Sequence, residues 1–235
     1  MTTVNALSEV AALMGDPARA SMLNLLMDGR AHTASELALT AGITAQTASG
    51  HLSRMTATGL LVPERQGRHR YHRLASPAVA RMMESIMRVA ADLEPKRKLT
   101  TGSRDQALRA ARTCYDHLAG RLGVALTDAM VGRGYVELDT DAGLMTKPGL
   151  TFLARIGIDA DTFAQRRHKP AGRVLCRPCL DWSERRPHLA GAVGAALCSH
   201  CLDHGWVRRI ADTRAVAITP KGQRVFREQF GAQLG

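Results

Sequence analysis

Apolar residues recur at helical spacing through most of the first 94 residues. Amphipathic segments span 4–14 and 16–29, and the second has a proline that suits the first helical turn. Two shorter segments follow, one from Ser35 to Gly42 and one from Thr44 to about Ala57. Because glycine favours a helix end and threonine a helix start, we predict two separate helices joined by a tight turn.

The helix predicted from Thr44 has two chemically different faces. Ala48, Leu52 and Met55 fall at i, i+4 and i+7, so they should face a core. The opposite face carries small or hydrogen-bonding groups, which are the groups that read base edges in a major groove. We therefore predict a DNA-reading helix with contacts from the following residues: Thr44, Gln46, Thr47, Ser49, His51 and Arg54.

A basic β-hairpin is predicted directly after this helix. Leu60–Val62 and 68–74 have the pattern of two short strands around a turn at Gln66-Gly67. Arginines near such a tip suit flanking phosphates or a minor groove. They are Arg65, Arg68 and Arg70. A solvated hairpin beside an ordinary helical pair is the alternative, but the order helix, turn, helix, hairpin, helix favours DNA binding.

The segment DPARASMLNLL and the segment SELALTAGITAQTASGHLSRMTATGLLVPERQGRHRYHRL resemble the ArsR/SmtB family of winged-helix repressors, over roughly the first 93 residues. The resemblance implies a homodimer that releases operator DNA when an effector binds. It also implies recognition-helix positions for Gln46, Thr47, Ser49, His51 and Arg54.

Metal-sensing members of that family often carry Cys-x-Cys in the first helix of the reading pair, or Asp and His ligands on the last helix. Here the first helix has no Cys-x-Cys, and Pro77–Leu93 contains neither histidine nor cysteine. We therefore expect any sensor to lie elsewhere in the chain.

The long helix predicted from Pro77 to Leu93 carries a wide apolar stripe. Its members are Val79, Met82, Met83, Ile86, Met87 and Ala90. One small core cannot cover so wide a stripe, so part of it is expected to form a dimer contact together with the first helix.

The second half of the chain contains an internal repeat. Residues 117–136 align without gaps on residues 188–207, and both begin His-Leu-Ala-Gly. Each copy predicts a helix, a short β-hairpin and a helix, an order that is itself winged-helix-like. Small residues would let the leading helices approach about a pseudo-two-fold axis. They are Gly120, Gly123, Gly191 and Gly194.

Together these patterns predict a mainly α fold with short β-hairpins. The winged helix-turn-helix domain, for DNA binding and dimerisation, is assigned to 1–94, and 95–103 is a linker. A C-terminal sensor or scaffold domain follows at 104–235, with tandem helix–hairpin–helix repeats at about 104–158 and 176–235. A basic connector at 159–175 joins the two copies.

Cysteine spacing offers one candidate zinc site. Cys176-x2-Cys179 and Cys198-x2-Cys201 fit the general spacing of a four-thiolate site. The repeat weakens this hypothesis, because the second pair falls within an alanine-rich helix whereas ribbon-type zinc pairs sit on tight turns. Small buried helix residues are the alternative for that pair.

The repeat offers a second candidate site, formed by Cys114 with His117 and by Cys179 with His188. A spacing of three predicts that Cys114 and His117 share one helix face, and pseudo-symmetry would bring the second pair alongside. Two thiolates and two imidazoles suit zinc or another thiophilic ion in tetrahedral coordination. Packed thiols with supporting histidines, a thiol redox switch and an organic effector are the alternatives.

A loop inserted in the second copy is a candidate effector site. An aromatic ring beside guanidinium and carboxylate groups can hold an anionic or planar organic ligand. The residues are Trp182, Glu184, Arg185 and Arg186. A buried tryptophan, with Glu184 paired to an arginine, is the alternative.

Composition narrows the classes of function. The net charge is +11 over 235 residues, with most of the excess after residue 95, so polyanions are expected partners. Five cysteines occur without a signal peptide or an apolar run of about 18 residues. We therefore expect a soluble cytoplasmic protein with no membrane contact and no structural disulfides.

The predicted function is a sequence-specific, dimeric transcriptional repressor. A metal, thiol oxidation or a small molecule, sensed in the C-terminal domain, would release it from operator DNA. One alternative is an enzyme with a fused DNA-binding domain, using Cys114 and His117 as nucleophile and base. The absence of a nucleophile elbow, phosphate loop or dinucleotide fingerprint favours a non-enzyme. The other alternative is nucleic-acid binding by charge alone, against which the hydroxyl- and amide-rich helix argues.

Overall fold

The computed structural model describes residues 3–67, 69–93, 103–159 and 174–233. They form two compact units, one comprising Met1–Ile86 with Ala211–Thr213 and the other Met87–Ile210 with Arg214–Gly235. Arg68, residues 95–102 of the predicted linker and residues 160–173 of the predicted connector lie outside the described residues. Within the described ranges, no helix combines the length and the apolar composition needed to cross a membrane.

The first unit consists of helices and a small antiparallel sheet in the order β1-β3-β2. In chain order the elements are α1 (Val4–Met14), α2 (Pro17–Leu26), β1 (His32–Thr33), α3 (Ala34–Ala41), α4 (Ala45–Ala57), β2 (Leu61–Gln66), β3 (His69–Leu74) and α5 (Pro77–Leu93), which extends past the end of this unit. The predicted winged helix-turn-helix order is confirmed.

Local sequence explains the turn between α3 and α4. Thr33 and Glu36 form a reciprocal capping box at the start of α3, and Gly42 ends that helix with φ 65°. Thr44 then begins α4, because its hydroxyl accepts a hydrogen bond from Thr47 N at 3.2 Å. These caps fix the position at which α4 starts.

The second unit contains the element order hairpin, helix, hairpin, helix twice. After α6 (Ser103–Ala110), the first set is β4 (Arg112–Cys114), β5 (His117–Ala119), α7 (Gly120–Gly132), β6 (Val136–Leu138), β7 (Gly143–Met145) and α8 (Lys147–Arg155). The second set is β8 (Arg177–Leu180), β9 (Pro187–Ala190), α9 (Gly191–Asp203), β10 (Val207–Arg209), β11 (Val216–Ile218) and α10 (Pro220–Val225), followed by a π-helical turn, Phe226–Phe230.

The predicted helix through Cys114 and His117 is wrong, because these residues lie on a hairpin. Cys114 and His117 are directly opposed on β4 and β5, and Tyr115 in the turn has a φ of 61°. The backbone next to Cys114 is used for pairing: Thr113 N donates to Arg214 O at 2.9 Å. Helix α7 therefore starts only at Gly120.

Both sets of elements contribute to one hydrophobic core within this unit. The buried members include Leu122, Leu126, Met130 and Phe152 from the first set, and Val193, Leu197, Trp206 and Phe226 from the second. Between the sets, Leu189 N donates a 2.8 Å hydrogen bond to the buried hydroxyl of Thr127. The two sets thus form a single packed body.

Candidate nucleic-acid interface and a buried thiol–imidazole cluster

Helix α4 presents an exposed polar face. Ala48, Leu52 and Met55 are buried in the core of the first unit, as the spacing predicted. Of the residues predicted to read DNA, His51 is half-buried and the others on this helix and its cap are exposed: Thr44, Gln46, Thr47, Ser49 and Arg54. Exposed Gly50 adds no bulk to the same face.

Some of these polar groups also support the helix itself. The hydroxyls of Thr44 and Thr47 lie 2.9 Å apart in the first turn, and Ser49 Oγ donates to Ala45 O at 2.9 Å. Gln46 and Arg54 lie on the exposed side of the helix. The helix therefore combines a rigid start with longer side chains that can extend into a groove.

Arg19 on α2 orients His51, a contact that the sequence reasoning missed. Arg19 donates to Leu13 O at 2.6 Å and to Ala12 O at 2.9 Å, and its Nη1 lies 3.1 Å from Nδ1 of His51. Arginine can only donate, so Nδ1 must accept and a neutral ring carries its hydrogen on Nε2. Guanine N7 and O6 are acceptors suited to such a donor.

The hairpin that follows α4 carries basic residues near its tip. Arg65 on β2 opposes Arg70 on β3, and both are exposed. The turn contains Gly67, whose φ is 57°. Two guanidinium groups are thereby displayed next to a helix that has the features of a base reader.

A second candidate site is a buried cluster of two thiols and two imidazoles. Cys114 faces His117 across one hairpin, and Cys179 faces His188 across another. All four side chains are buried, and their potential ligand atoms lie within 4.8 Å of one another. The two histidine rings stack with centroids 5.0 Å apart. The structure therefore assembles the four residues that the repeat singled out.

Glycines in α7 and α9 make room for this cluster in a reciprocal way. A Cβ at Gly123 would lie 3.5 Å from the Cβ of His188, and a Cβ at Gly194 would lie 3.3 Å from the Cβ of His117. Each added Cβ would also collide with a backbone carbonyl, Leu118 O or Leu189 O. These glycines therefore let each helix pack directly on the hairpin that precedes it in its own set, with the histidine of the other set in van der Waals contact.

Carboxylates lie beside both histidines. Asp116 Oδ1 is 3.1 Å from Nδ1 of His117, and Asp181 Oδ2 is 3.5 Å from Nδ1 of His188. Asp181 also accepts from Arg112 Nη2 at 2.8 Å and from Gly120 N at 2.6 Å. Burial alone would raise the pKa of Asp181, but the Arg112 guanidinium and these hydrogen bonds hold that pKa well below its usual range.

The five thiols differ in their electrostatic surroundings. Contact with Cys179 and with the two imidazoles lowers the pKa of Cys114 well below its usual value, although burial opposes the shift. Burial raises the pKa of Cys176 and of Cys198 to about 12. Burial likewise raises the pKa of Cys201 well above its usual value. The last three are therefore thiols in an apolar core.

The four-thiolate arrangement does not form among the described residues. Cys179 belongs to the thiol–imidazole cluster, whereas Cys198 and Cys201 are buried along α9. Cys176 lies opposite Gly143 in an isolated β-bridge. The tertiary packing thus separates the two pairs that the sequence spacing suggested.

The loop predicted to hold an effector makes several contacts within the second unit. The guanidinium carbon of Arg112 lies 4.4 Å from the centroid of the Trp182 ring, and that of Arg109 lies 5.4 Å away. Arg186 is exposed and pairs with Asp128 at 2.8 Å. Glu184 N donates to Asp181, and Arg185 has a φ of 57°. A ligand role for Trp182, Glu184, Arg185 and Arg186 stays a prediction.

Comparison with known proteins points to gene regulation. Residues 16–70 match a family model described as MarR family. Over 228 residues the chain is 39% identical to the uncharacterized HTH-type transcriptional regulator YdfF of Bacillus subtilis (strain 168), covering 97% of this chain and 98% of that protein. The finer assignment to ArsR/SmtB stays a prediction.

Solved structures give more limited likenesses. The homodimeric winged helix-turn-helix DNA-binding domain of Mb0332 from Mycobacterium bovis is 24% identical, with a TM-score of 0.37, over 42% of this chain and 90% of that one. The cadmium metal-sensor CMTR from Mycobacterium tuberculosis is 26% identical, with a TM-score of 0.32, over 40% of this chain and 97% of that one.

The family therefore follows from the match along nearly the whole chain, and the first unit supplies the fold expected of it. Its helix α4 exposes a polar face, and a basic hairpin follows. The chain belongs to the HTH-type transcriptional regulators and carries a winged-helix DNA-binding domain.

Proposed function

We propose that this regulator is a dimeric repressor that binds operator DNA sequence-specifically through α4. The exposed polar face of that helix carries the proposal. Buried apolar residues anchor one side of the helix, while Gln46, His51 and Arg54 lie on the other. Short polar groups, an amide and a guanidinium are the groups that discriminate base pairs in the major groove.

Two exposed apolar surfaces support the dimer. In α1, Val4 is 77% and Leu7 is 65% exposed, and in α5, Val89 is 53% and Leu93 is 78% exposed. Apolar side chains this open are more stable when a second protein surface covers them. A symmetric dimer would present two copies of α4 to half-sites about one helical turn apart.

The second unit is the proposed sensor. Its buried cluster contains groups able to bind a metal or to be oxidised, and the loop at Trp182, whose ring lies against the Arg112 guanidinium, is the candidate site for an organic ligand. An effector of any of these classes would release DNA only if it binds the DNA-free state more tightly. Such coupling is typically about 1–3 kcal/mol, or roughly 5–150-fold in DNA affinity.

In vitro selection tests the proposal. The full-length chain is used to enrich duplexes from a random pool, and the enriched sites are then placed before a reporter gene. We expect a two-fold symmetric motif with half-site centres about ten base pairs apart, and reporter expression that falls when the protein is present. A selection that enriches no motif, as charge-only binding would give, contradicts the proposal. Reporter expression that rises contradicts repression.

A further inference from the structure

The donor set of the thiol–imidazole cluster is chemically specific. Each hairpin contributes one sulfur and one imidazole from directly opposed positions, so the four donors come from two hairpins. Thiolate and imidazole ligands together favour zinc and related thiophilic ions, whereas calcium and magnesium prefer oxygen. We propose that Cys114, His117, Cys179 and His188 form a closed, four-coordinate site for a thiophilic cation, with Zn²⁺ as the reference ion.

The size of the cluster fits this proposal. With zinc at about 2.3 Å from sulfur and about 2.0 Å from nitrogen, tetrahedral donors lie about 3.3–3.8 Å apart. The four potential ligand atoms here all lie within 4.8 Å of one another. Closing around an ion therefore requires the most distant pair to move together by about 1 Å, which side-chain rotation in two short hairpins can supply.

The surroundings orient the histidines for coordination. A carboxylate at Nδ1 leaves Nε2 as the ligand atom, and Asp116 and Asp181 lie at that nitrogen of His117 and His188. Both ring nitrogens of His188 are buried, with Nδ1 3.5 Å from Asp181 Oδ2 and the ring in contact with Cys114. An ion bound at Nε2 would give that buried nitrogen a ligand bond while Asp181 holds Nδ1.

Burial of all four ligands makes the site closed. A catalytic zinc keeps one position for water or substrate, whereas here four buried protein donors would fill all four positions of a tetrahedral ion. Since the ligands come from both sets of elements, a bound ion would link the β4–β5 hairpin to the β8–β9 hairpin. The inference names the effector class of the proposed repressor, and it rests on that function only for its regulatory consequence.

Metal titration of the purified full-length chain tests the site. The protein is stripped with a chelator under reducing conditions and titrated with Zn²⁺ against a chromophoric competitor, and with Co²⁺ as a spectroscopic probe. We expect one ion per chain, tetrahedral cobalt bands and thiolate-to-cobalt charge transfer. Because all five thiols are buried, their reaction with a thiol reagent is followed over a series of denaturant concentrations, and zinc should slow the reaction of two of them.

Matched variants locate the ion. C114S and C179S should lose stoichiometric binding and the thiolate band, while C176S, C198S and C201S should retain both. Ion stoichiometry and thiol protection are measured on the wild type, so they test the proposed site even where a variant fails to fold. Absence of binding by the wild type, or loss only in C198S or C201S, overturns the site. A Cys114–Cys179 disulfide on mild oxidation in a chain that binds no ion overturns it in favour of a redox switch.

The metal measurement is independent of the proposed repressor activity. The metal titration is done without DNA, and the DNA selection can be run in chelator. Either the metal site or the repressor function can therefore fail its test while the other stands. If both hold, adding Zn²⁺ to the wild type should change operator affinity by at least about 5-fold. C114S should not show that change, whereas C198S should.

Discussion

At the scale of single residues, the contact between Arg19 and His51 gives the most specific account of base reading. Arg19 donates to two carbonyls at the end of α1 and so holds its third contact, His51 Nδ1, at 3.1 Å. The ring is thereby fixed with Nε2 as its donor when neutral. Orientation of this kind reduces the entropy that a side chain loses on binding.

Replacing His51 by alanine should weaken specific DNA binding. We expect a loss of about 1–3 kcal/mol of discrimination, roughly 5–150-fold, on the selected operator, with no change on random duplex. Fluorescence anisotropy with both duplexes measures this. Ser53→Ala, an exposed position on the same helix outside the predicted reading set, is the control. Equal losses on both duplexes would show that His51 does not read bases.

Replacing Asp181 by alanine should destabilise the second unit. The change leaves the buried Arg112 guanidinium without its ion-pair partner, and breaking a buried pair costs about 3–5 kcal/mol. Both tryptophans, Trp182 and Trp206, lie in this unit, so their fluorescence during urea unfolding in chelator reports the loss.

The exposed pair of Arg186 with Asp128 provides the control for that measurement. Its side chains are 59% and 41% exposed, so Asp128→Ala should cost at most about 1 kcal/mol. Similar free energies of unfolding for the Asp128 and Asp181 variants would contradict the importance given to the buried pair.

Sequence alone identified many of these residues but few of their partners. Polar residues opposite a buried helical stripe are visible as a pattern, and the repeated cysteine and histidine positions are visible by alignment. The contact of Arg19 with His51 joins residues 32 positions apart, and that of Arg112 with Asp181 joins residues 69 apart. Such contacts depend on tertiary packing and leave no periodic signal.

At the scale of elements, Gly50 is a position at which helix stability and DNA binding favour different residues. A Cβ at this position would meet nothing within 4 Å, and glycine inside a helix costs about 0.5–1 kcal/mol relative to alanine. Gly50→Ala should therefore raise the melting temperature measured by circular dichroism. It should lower operator affinity, because a methyl group would hold α4 away from the base edges.

Gly132 in α7 offers a matched control for this prediction. A Cβ there also meets nothing within 4 Å, so Gly132→Ala should raise stability without changing operator affinity. If Gly50→Ala is stabilising and binds the operator as tightly as the wild type, α4 does not approach DNA as closely as proposed.

The hairpins of the second unit show where element prediction failed. A spacing of three between Cys114 and His117 fits one face of a helix, but it equally fits opposed positions around a two-residue turn. Asp116 favours a turn, and this was the available local signal. The decisive factor is the backbone pairing of β4 with residues near β11, which the sequence does not reveal.

At the scale of the whole molecule, the dimer is the first property to test. The double substitution Leu7→Glu and Leu93→Glu should give a monomer in sedimentation velocity, because both side chains are mostly exposed on surfaces assigned to the partner. Operator affinity should fall when the dimer is lost, since a monomer engages only one half-site. Leu144→Glu, which changes a 54% exposed leucine on β7, should stay dimeric. A double variant that remains dimeric would place the interface elsewhere.

Whole-molecule prediction succeeded for the class of protein and for the first unit. The order of caps, apolar spacings and turns in the first 74 residues is local, so it could be inferred position by position. The second unit has a core to which both sets of elements contribute, and its cluster forms only when distant hairpins meet. The repeat indicated which residues would meet, but not the backbone that carries them.

The central claim is that α4 reads sequence while basic residues supply general affinity for DNA. The most direct test is the ratio of dissociation constants for random and selected duplexes, measured for the full-length chain over a series of salt concentrations. We predict a ratio of at least about 10³, together with affinity for both duplexes that falls as salt rises. A ratio near one at every salt concentration would mean that the +11 net charge alone accounts for binding, and would contradict the claim.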